Sequence, residues 1–173
     1  MAALRPGTTS GLPKVAILKF WGCGMVACDW CGEPMAVEVA LALLERDGRW
    51  LLQLRDDMEG IVAPGCWGLF GGHLEAGESP EEGLRRELQE EIAYTAANLQ
   101  PWWRLENDGR VRHFFLGPLI CPLGDLRLLE GQDLALVSLE ELGTGQVWSD
   151  KLRQHRPLAP SLQQIVARLA SLA

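Results

Sequence analysis

No stretch of this chain is apolar for long enough to cross a bilayer. The best run, Val15 to Ala27, is broken by Lys19 and falls short of the roughly 20 residues a spanning helix needs. Positive charge is also scarce: 16 Lys and Arg face 23 Asp and Glu, for a net charge of −7. That balance argues against a nonspecific partner for nucleic acid or for a membrane surface. A second C-x-x-C is missing. Cys28 and Cys31 form one, Cys23 lies nearby, and Cys66 and Cys121 stand alone, so the four ligands of a structural zinc site are not met. The cysteines read instead as reduced thiols, which points to a cytoplasmic protein. No internal repeat or low-complexity tract is visible.

What is present suits one domain with a good core, at 173 residues. Residues 1–34 form an N-terminal extension of unclear role. Met25-Val26-Ala27-Cys28 faintly resembles a lipoprotein cleavage site, but Lys19 argues against a secretory signal. A disordered tail, or a start assigned too early, is the simpler expectation, since Met35 opens the first clear strand. Within residues 35–173, strands are expected at Val37–Leu44 and Trp50–Leu54, joined by a turn at Asp47-Gly48. A loop rich in charge, Gly and Pro follows to Gly65. Further strands are expected around Trp67, at Pro101–Leu105, Arg110–Ile120, Leu126–Leu129 and Leu134–Val137. A closing helix over Leu162–Leu172 carries a stripe of Leu162, Ile165, Val166 and Leu169. This order implies an α/β fold with a mixed sheet flanked by helices.

One helix carries most of the information. Ser79 is a good N-cap, Pro80 suits the first helical position, and Glu82 completes an S-x-x-E capping box. Leu84, Leu88 and Ile92 then recur as one stripe. At helical periodicity Glu87 and Glu91 border that stripe, Glu90 lies one step further round, and Arg86 points away from it. Acids set so close repel one another and hold raised pKa values unless a positive group lies among them. Mg²⁺, or Mn²⁺ in its place, is a hard cation that takes carboxylate oxygens and bridges phosphates. A solvated face laced with Arg–Glu pairs is the plainer account of such a run. The position beside the apolar stripe and the Gly71-Gly72 pair just upstream favour the metal.

The segment resembles the Nudix box, G-x5-E-x7-R-E-U-x-E-E-x-G-U with U a bulky apolar residue. Gly72, Glu78, Arg86, Glu87, Leu88, Glu90 and Glu91 match in register; Ala93 replaces the second glycine and Tyr94 takes the last apolar place. Trp67-Gly68-Leu69-Phe70-Gly71-Gly72 resembles the family's W-x-x-P-G-G approach, with Phe70 for proline. Glu130-Gly131-Gln132 resembles the E-G-Q of the MutT branch, with a polar turn between strands as the alternative. The resemblance implies a Nudix fold, a mixed β-sheet sandwiched between α-helices.

It further implies that Glu87, Glu90 and Glu91, with the Gly72 carbonyl, bind the metal. One of these glutamates, or Glu130, would take the proton from the attacking water, and Arg86 would orient Glu87. Glu78 would support the helix start. The implied reaction is Mg²⁺-dependent attack of water on a diphosphate linkage in a nucleotide, with nucleoside triphosphates and nucleotide sugars both open. Arg55, Arg110 and Arg112 are candidates for local positive charge toward the substrate, or for plain surface solubility. Trp67, Phe70 and Trp102-Trp103 could stack on a base, though aromatics beside a sheet are more often core. Pro157-Leu158-Ala159-Pro160-Ser161 lacks the asparagine that reads oxidised guanine in MutT-like relatives, and the chain lacks the zinc ribbon of the NADH-hydrolysing branch. A small-molecule nucleotide is the expected partner, and a homodimer is compatible with the sequence. The alternative is a nucleotide-sensing module that kept the fold but not turnover, which predicts damaged acids; all three box glutamates are intact.

Overall fold

A computed structural model describes residues 36–171, so the reading of the N-terminal extension and its cysteines lies outside the described residues. Strand β1 (Val37–Arg46) alternates between two apolar layers: Ala40, Ala42 and Leu44 join one, Leu41 and Leu43 the other. This is the two-residue period of a strand buried on both faces. Asp47 and Gly48, both at positive φ, turn the chain into β2 (Arg49–Leu54). The two strands pair antiparallel only at the base of the hairpin, Glu45 with Trp50 and Arg46 with Arg49. Beyond it they part. β1 takes up β4 (Phe70–His73) through Val39–Ala42, and β2 takes up β3 (Trp67–Gly68) and β7 (Asp133–Ser138), all antiparallel. The other edge of β1 runs parallel to β6 (Arg110–Pro118), which pairs antiparallel with β5 (Gln100–Asn107). The sheet is therefore mixed, as expected.

Helix α1 (Pro80–Ile92) covers one face. Its stripe Leu84, Leu88 and Ile92 is fully buried against Ala40, Ala42, Leu44, Leu51, Phe70 and Phe115. Each such aliphatic side chain is worth about 2 kcal/mol when buried, more than a helix of this length gains from its own propensity. The Ser79 capping box forms, with Ser79 Oγ accepting from the Glu82 amide and the Glu82 carboxylate accepting from the Ser79 amide. At the far end Ala93 adopts the left-handed conformation (φ 52, ψ 35), and the Tyr94 amide turns back to the Leu88 carbonyl at 3.1 Å. This is the place where the family pattern has glycine.

The opposite face is covered by α2 (Leu139–Gly143) and α3 (Pro160–Leu169). Leu142, Leu162, Ile165 and Leu169 pack there with Leu43, Leu52, Leu54, Trp67 and Phe114. A hairpin of β8 (Gln146–Ser149) and β9 (Gln154–Pro157) joins these helices. It is tied to β7 by Asp133, a buried carboxylate that accepts from Ser149 Oγ at 2.7 Å and from the Lys151 amide at 3.2 Å.

One expected strand is corrected. Leu126–Leu129 is irregular, because its amides serve the end of α1 instead of a ladder. Arg127 N–H donates to the Ile92 carbonyl, and Leu129 N–H to the Glu91 carbonyl at 2.8 Å. The closing helix is also shorter than Leu162–Leu172 at its C-terminal end and begins earlier, at Pro160.

Candidate active site

The site is built where α1 lies over the backbone of β4. Gly71 adopts φ 122, and a Cβ there would sit 2.1 Å from the Ala40 carbonyl oxygen. Only glycine fits this conformation and this approach. Its N–H donates to Glu91 Oε2 at 2.8 Å. At Gly72 a Cβ would lie 2.6 Å from the Glu87 carboxyl carbon. The glycine pair thus lets two helix carboxylates reach the strand backbone.

Glu91 is 3% exposed, although it is an acid. Burial, with Glu130 and Glu87 adding like charge, pushes its pKa up to about 8, against the pull of the Gly71 N–H and of Arg55. Burial also raises Glu87, opposed chiefly by Arg86, while Glu90 and Glu130 add to the rise. Arg86 organises the acids. Its Nε and Nη2 grip Glu78 in a fork at 2.8 and 3.1 Å, Nη1 reaches Glu87 and Glu90 at 3.0 Å each, and Nη2 also reaches the His73 carbonyl. Glu78 is held near pKa 2 by this hydrogen bond first and by the Glu75 amide second.

Glu130 is exposed, but its backbone is fixed. Its N–H donates to the Glu91 carbonyl, its own carbonyl accepts from Gln53 Nε2 at 3.1 Å, and Gln132 Nε2 donates to the Arg55 carbonyl at 2.8 Å. The E-G-Q segment is thereby pinned between α1 and the end of β2. Gln53, buried on β2, also reaches Glu91 Oε1 at 3.5 Å. It is a site residue that the motif does not contain; its one signal is a polar residue inside the apolar run of β2.

Glu87, Glu91 and Glu130 are brought together, while the Glu90 side chain is 61% exposed and turned toward Arg86. Among the described residues no three His, Cys, Asp or Glu side chains are drawn into a ready metal cage. The donor set nevertheless fits a hard divalent cation. It is all oxygen, it includes a buried carboxylate whose neighbours are acids, and the Gly72 backbone lies against Glu87. Loss of solvent, then Arg110 and Arg55, lowers the pKa of His73, which puts two guanidinium groups on this side of the site. Arg112 lies near Arg110, with its own guanidinium bonded to the Asn107 side-chain oxygen.

The aromatic residues are placed differently. Trp67 is fully buried with Nε1 donating to the Val147 carbonyl, and Phe70 is 1% exposed beneath α1. Neither has a ring face open to a base, so the core reading replaces the stacking one. Trp103 stacks on Phe114 and carries the Arg168 guanidinium 4.6 Å from its ring centre.

Residues 34–159 match the family model described as NUDIX domain. The chain belongs to the Nudix hydrolase family. The nucleoside triphosphatase NudI of Salmonella newport is 34% identical over 118 residues, covering 60% of this Nudix chain and 83% of the relative. The solution structure of the E. coli ORF135 protein is similar with a TM-score of 0.57 and 29% identity, over 79% of this chain and 89% of that one. The NUDIX domain of Shewanella oneidensis NrtR, complexed with ADP ribose, shares the fold at a TM-score of 0.63 and 18% identity, over 84% and 93%. Among the described residues no helix is long and apolar enough to cross a membrane.

Proposed function

We propose that this Nudix protein hydrolyses a diphosphate linkage of a nucleoside triphosphate and depends on Mg²⁺ (Mn²⁺ meeting the same donor chemistry). The observation that carries the reading is Glu91: a buried carboxylate set against the Gly71 amide with Glu87 and Glu130 as its neighbours. A fold that only needed stability would place an apolar residue there, since burying an unpaired acid is costly. The similarity to the nucleoside triphosphatase NudI supports a triphosphate over a nucleotide sugar.

Glu87 and Glu91, with the Gly72 carbonyl, would hold the cation, with Glu90 at the rim. When bound, the cation would neutralise phosphate oxygen charge and lower the pKa of a water. The residues supply the rest. Arg86 fixes Glu87 and Glu90 by charge-assisted hydrogen bonds at 3.0 Å. Arg55 and Arg110 offer positive charge to the phosphate chain. Glu130 would accept a proton from water; its pinned backbone and its exposure at the edge of the site support that role.

The test is incubation of the purified protein with Mg²⁺ and a panel of dNTPs, nucleotide sugars, ADP-ribose and dinucleoside polyphosphates, with products separated by chromatography. Cleavage of triphosphates that disappears in EDTA and in Glu91→Gln supports the proposal. Cleavage confined to the other classes overturns the choice of substrate. Metal-dependent binding with no turnover of any compound overturns the enzyme in favour of a sensing module.

A further inference from the structure

The loop from Arg55 to Cys66 borders the site and has no regular structure of its own. Its base is closed by the Arg55 amide on the Cys66 carbonyl at 3.0 Å. Inside it, Arg55 Nε donates to the Val62 carbonyl at 2.8 Å. The Arg55 guanidinium is therefore steered by a loop carbonyl, while the Arg55 backbone carbonyl accepts from Gln132 Nε2 of the E-G-Q segment at 2.8 Å. What holds the loop is a residue about a hundred positions downstream. Arg156, on β9, donates from Nε to the Gly65 carbonyl at 2.7 Å and from Nη2 to Asp57 Oδ2 at 2.8 Å. Its side chain is 20% exposed. It lies so close over Gly65 that a Cβ there would fall 1.7 Å from Nη2, and Gly65 itself sits at φ 61.

We propose that Arg156 is a positioning residue for the substrate: it latches the 55–66 loop to the β8–β9 hairpin, and the latched loop presents the Arg55 guanidinium to a substrate phosphate. This rests on the reading of the site as one that binds a phosphate chain. The physical argument is entropy. Ordering each loop residue costs about 1–2 kcal/mol, and the loop has few buried apolar groups to offset it, with Met58 and Val62 both exposed. Two charge-assisted bonds from one rigid fork fix both arms of the loop at once. Lysine, a single point charge, can meet Asp57 or the Gly65 carbonyl but not both in this geometry.

The test measures kcat and KM for the triphosphate that the wild-type protein cleaves best with Mg²⁺. Arg156→Met is expected to raise KM about tenfold, as loss of a hydrogen bond from a charged group does at its low end, with kcat within about threefold of wild type. Arg156→Lys should fall between the two. Gly65→Ala, which displaces the same guanidinium without touching its charge, should reproduce the KM effect. In an Arg55→Ala background, Arg156→Met should add less than about twofold, because the latch then has nothing to position. An unchanged KM in Arg156→Met, or the same tenfold increment without Arg55, overturns the proposal. If the wild-type protein cleaves nothing, the functional reading fails and the latch is read by calorimetric binding of inorganic tripolyphosphate with Mg²⁺. Binding weakened about tenfold by Arg156→Met only when Arg55 is present supports it; equal binding overturns it.

Discussion

Replacing Glu91 by glutamine should move stability and turnover in opposite directions. Glu91 is buried, and its pKa rises from 4.5 to about 8 through loss of solvent, with Glu130 and Glu87 contributing. A carboxyl raised on folding contributes fully below its unfolded pKa, and that stability is lost as pH climbs through the folded value. At about 1.4 kcal/mol per pKa unit, the cost in the metal-free protein reaches about 5 kcal/mol above pH 8. Glutamine stays neutral and still offers an oxygen to the Gly71 N–H. It also turns an amide toward Gln53 Nε2, 3.5 Å from the present oxygen, which offsets about 1–2 kcal/mol. The variant should therefore be about 3 kcal/mol more stable than wild type at pH 8.5 in EDTA, and no more stable at pH 5. For a chain of this size that is a Tm gap of about 6–12 °C. Calorimetric unfolding from pH 5 to 9, in EDTA and then in Mg²⁺, measures it. Mg²⁺ should narrow the gap by stabilising only the wild type, while hydrolysis in the variant falls by orders of magnitude. A variant no more stable than wild type at pH 8.5 without metal would refute the account of Glu91 as a buried, cation-seeking acid.

Arg86→Ala should lower kcat about 10–100-fold, the range seen when a partner orienting a metal ligand is removed, because Glu87 and Glu90 lose their common guanidinium; steady-state kinetics at saturating Mg²⁺ tests it. Ala93→Gly should stabilise the fold by up to about 1 kcal/mol, since alanine is strained at φ 52, and a urea midpoint that does not rise would count against it. Ser149→Ala should cost about 1–3 kcal/mol by removing a hydroxyl donor from buried Asp133, read from the same urea curves with activity per folded molecule unchanged.

The box helix was legible because its signals are local: the Ser79 cap, the stripe at Leu84, Leu88 and Ile92, and acids at fixed steps from that stripe all lie within one element. So were β1, β2 and β6, whose apolar runs stand out, with the first two joined by the turn at Asp47-Gly48. Leu126–Leu129 misled because Leu126 and Leu128 do alternate into the core beside α1; periodicity reports burial, and it is silent on whether amides go to a ladder or to a helix end. Helix α2 was not expected: it is five residues long and has no apolar stripe to announce it, although Ser138 and Glu141 close a capping box at its start. Gln53 and Arg156 act on the site from β2 and β9, across long stretches of sequence, and no local pattern joins them to the box. The aromatic residues were ambiguous for a simpler reason: Trp67 and Phe70 have the same composition whether a ring faces a base or a leucine.

The sharing of one β1 edge between β4 and the foot of β2 bears on which lengths of this chain can drift over generations. The Asp47-Gly48 turn hangs beyond the ends of the paired strands, where an inserted residue disturbs no site contact. Gly71 and Gly72 have no such slack. One meets Glu91 through its amide and the other gives Glu87 its clearance, and a slip of a single residue along β1 would exchange their faces. Length variation among descendants of this gene should accumulate at that turn and stay absent between Trp67 and Glu91.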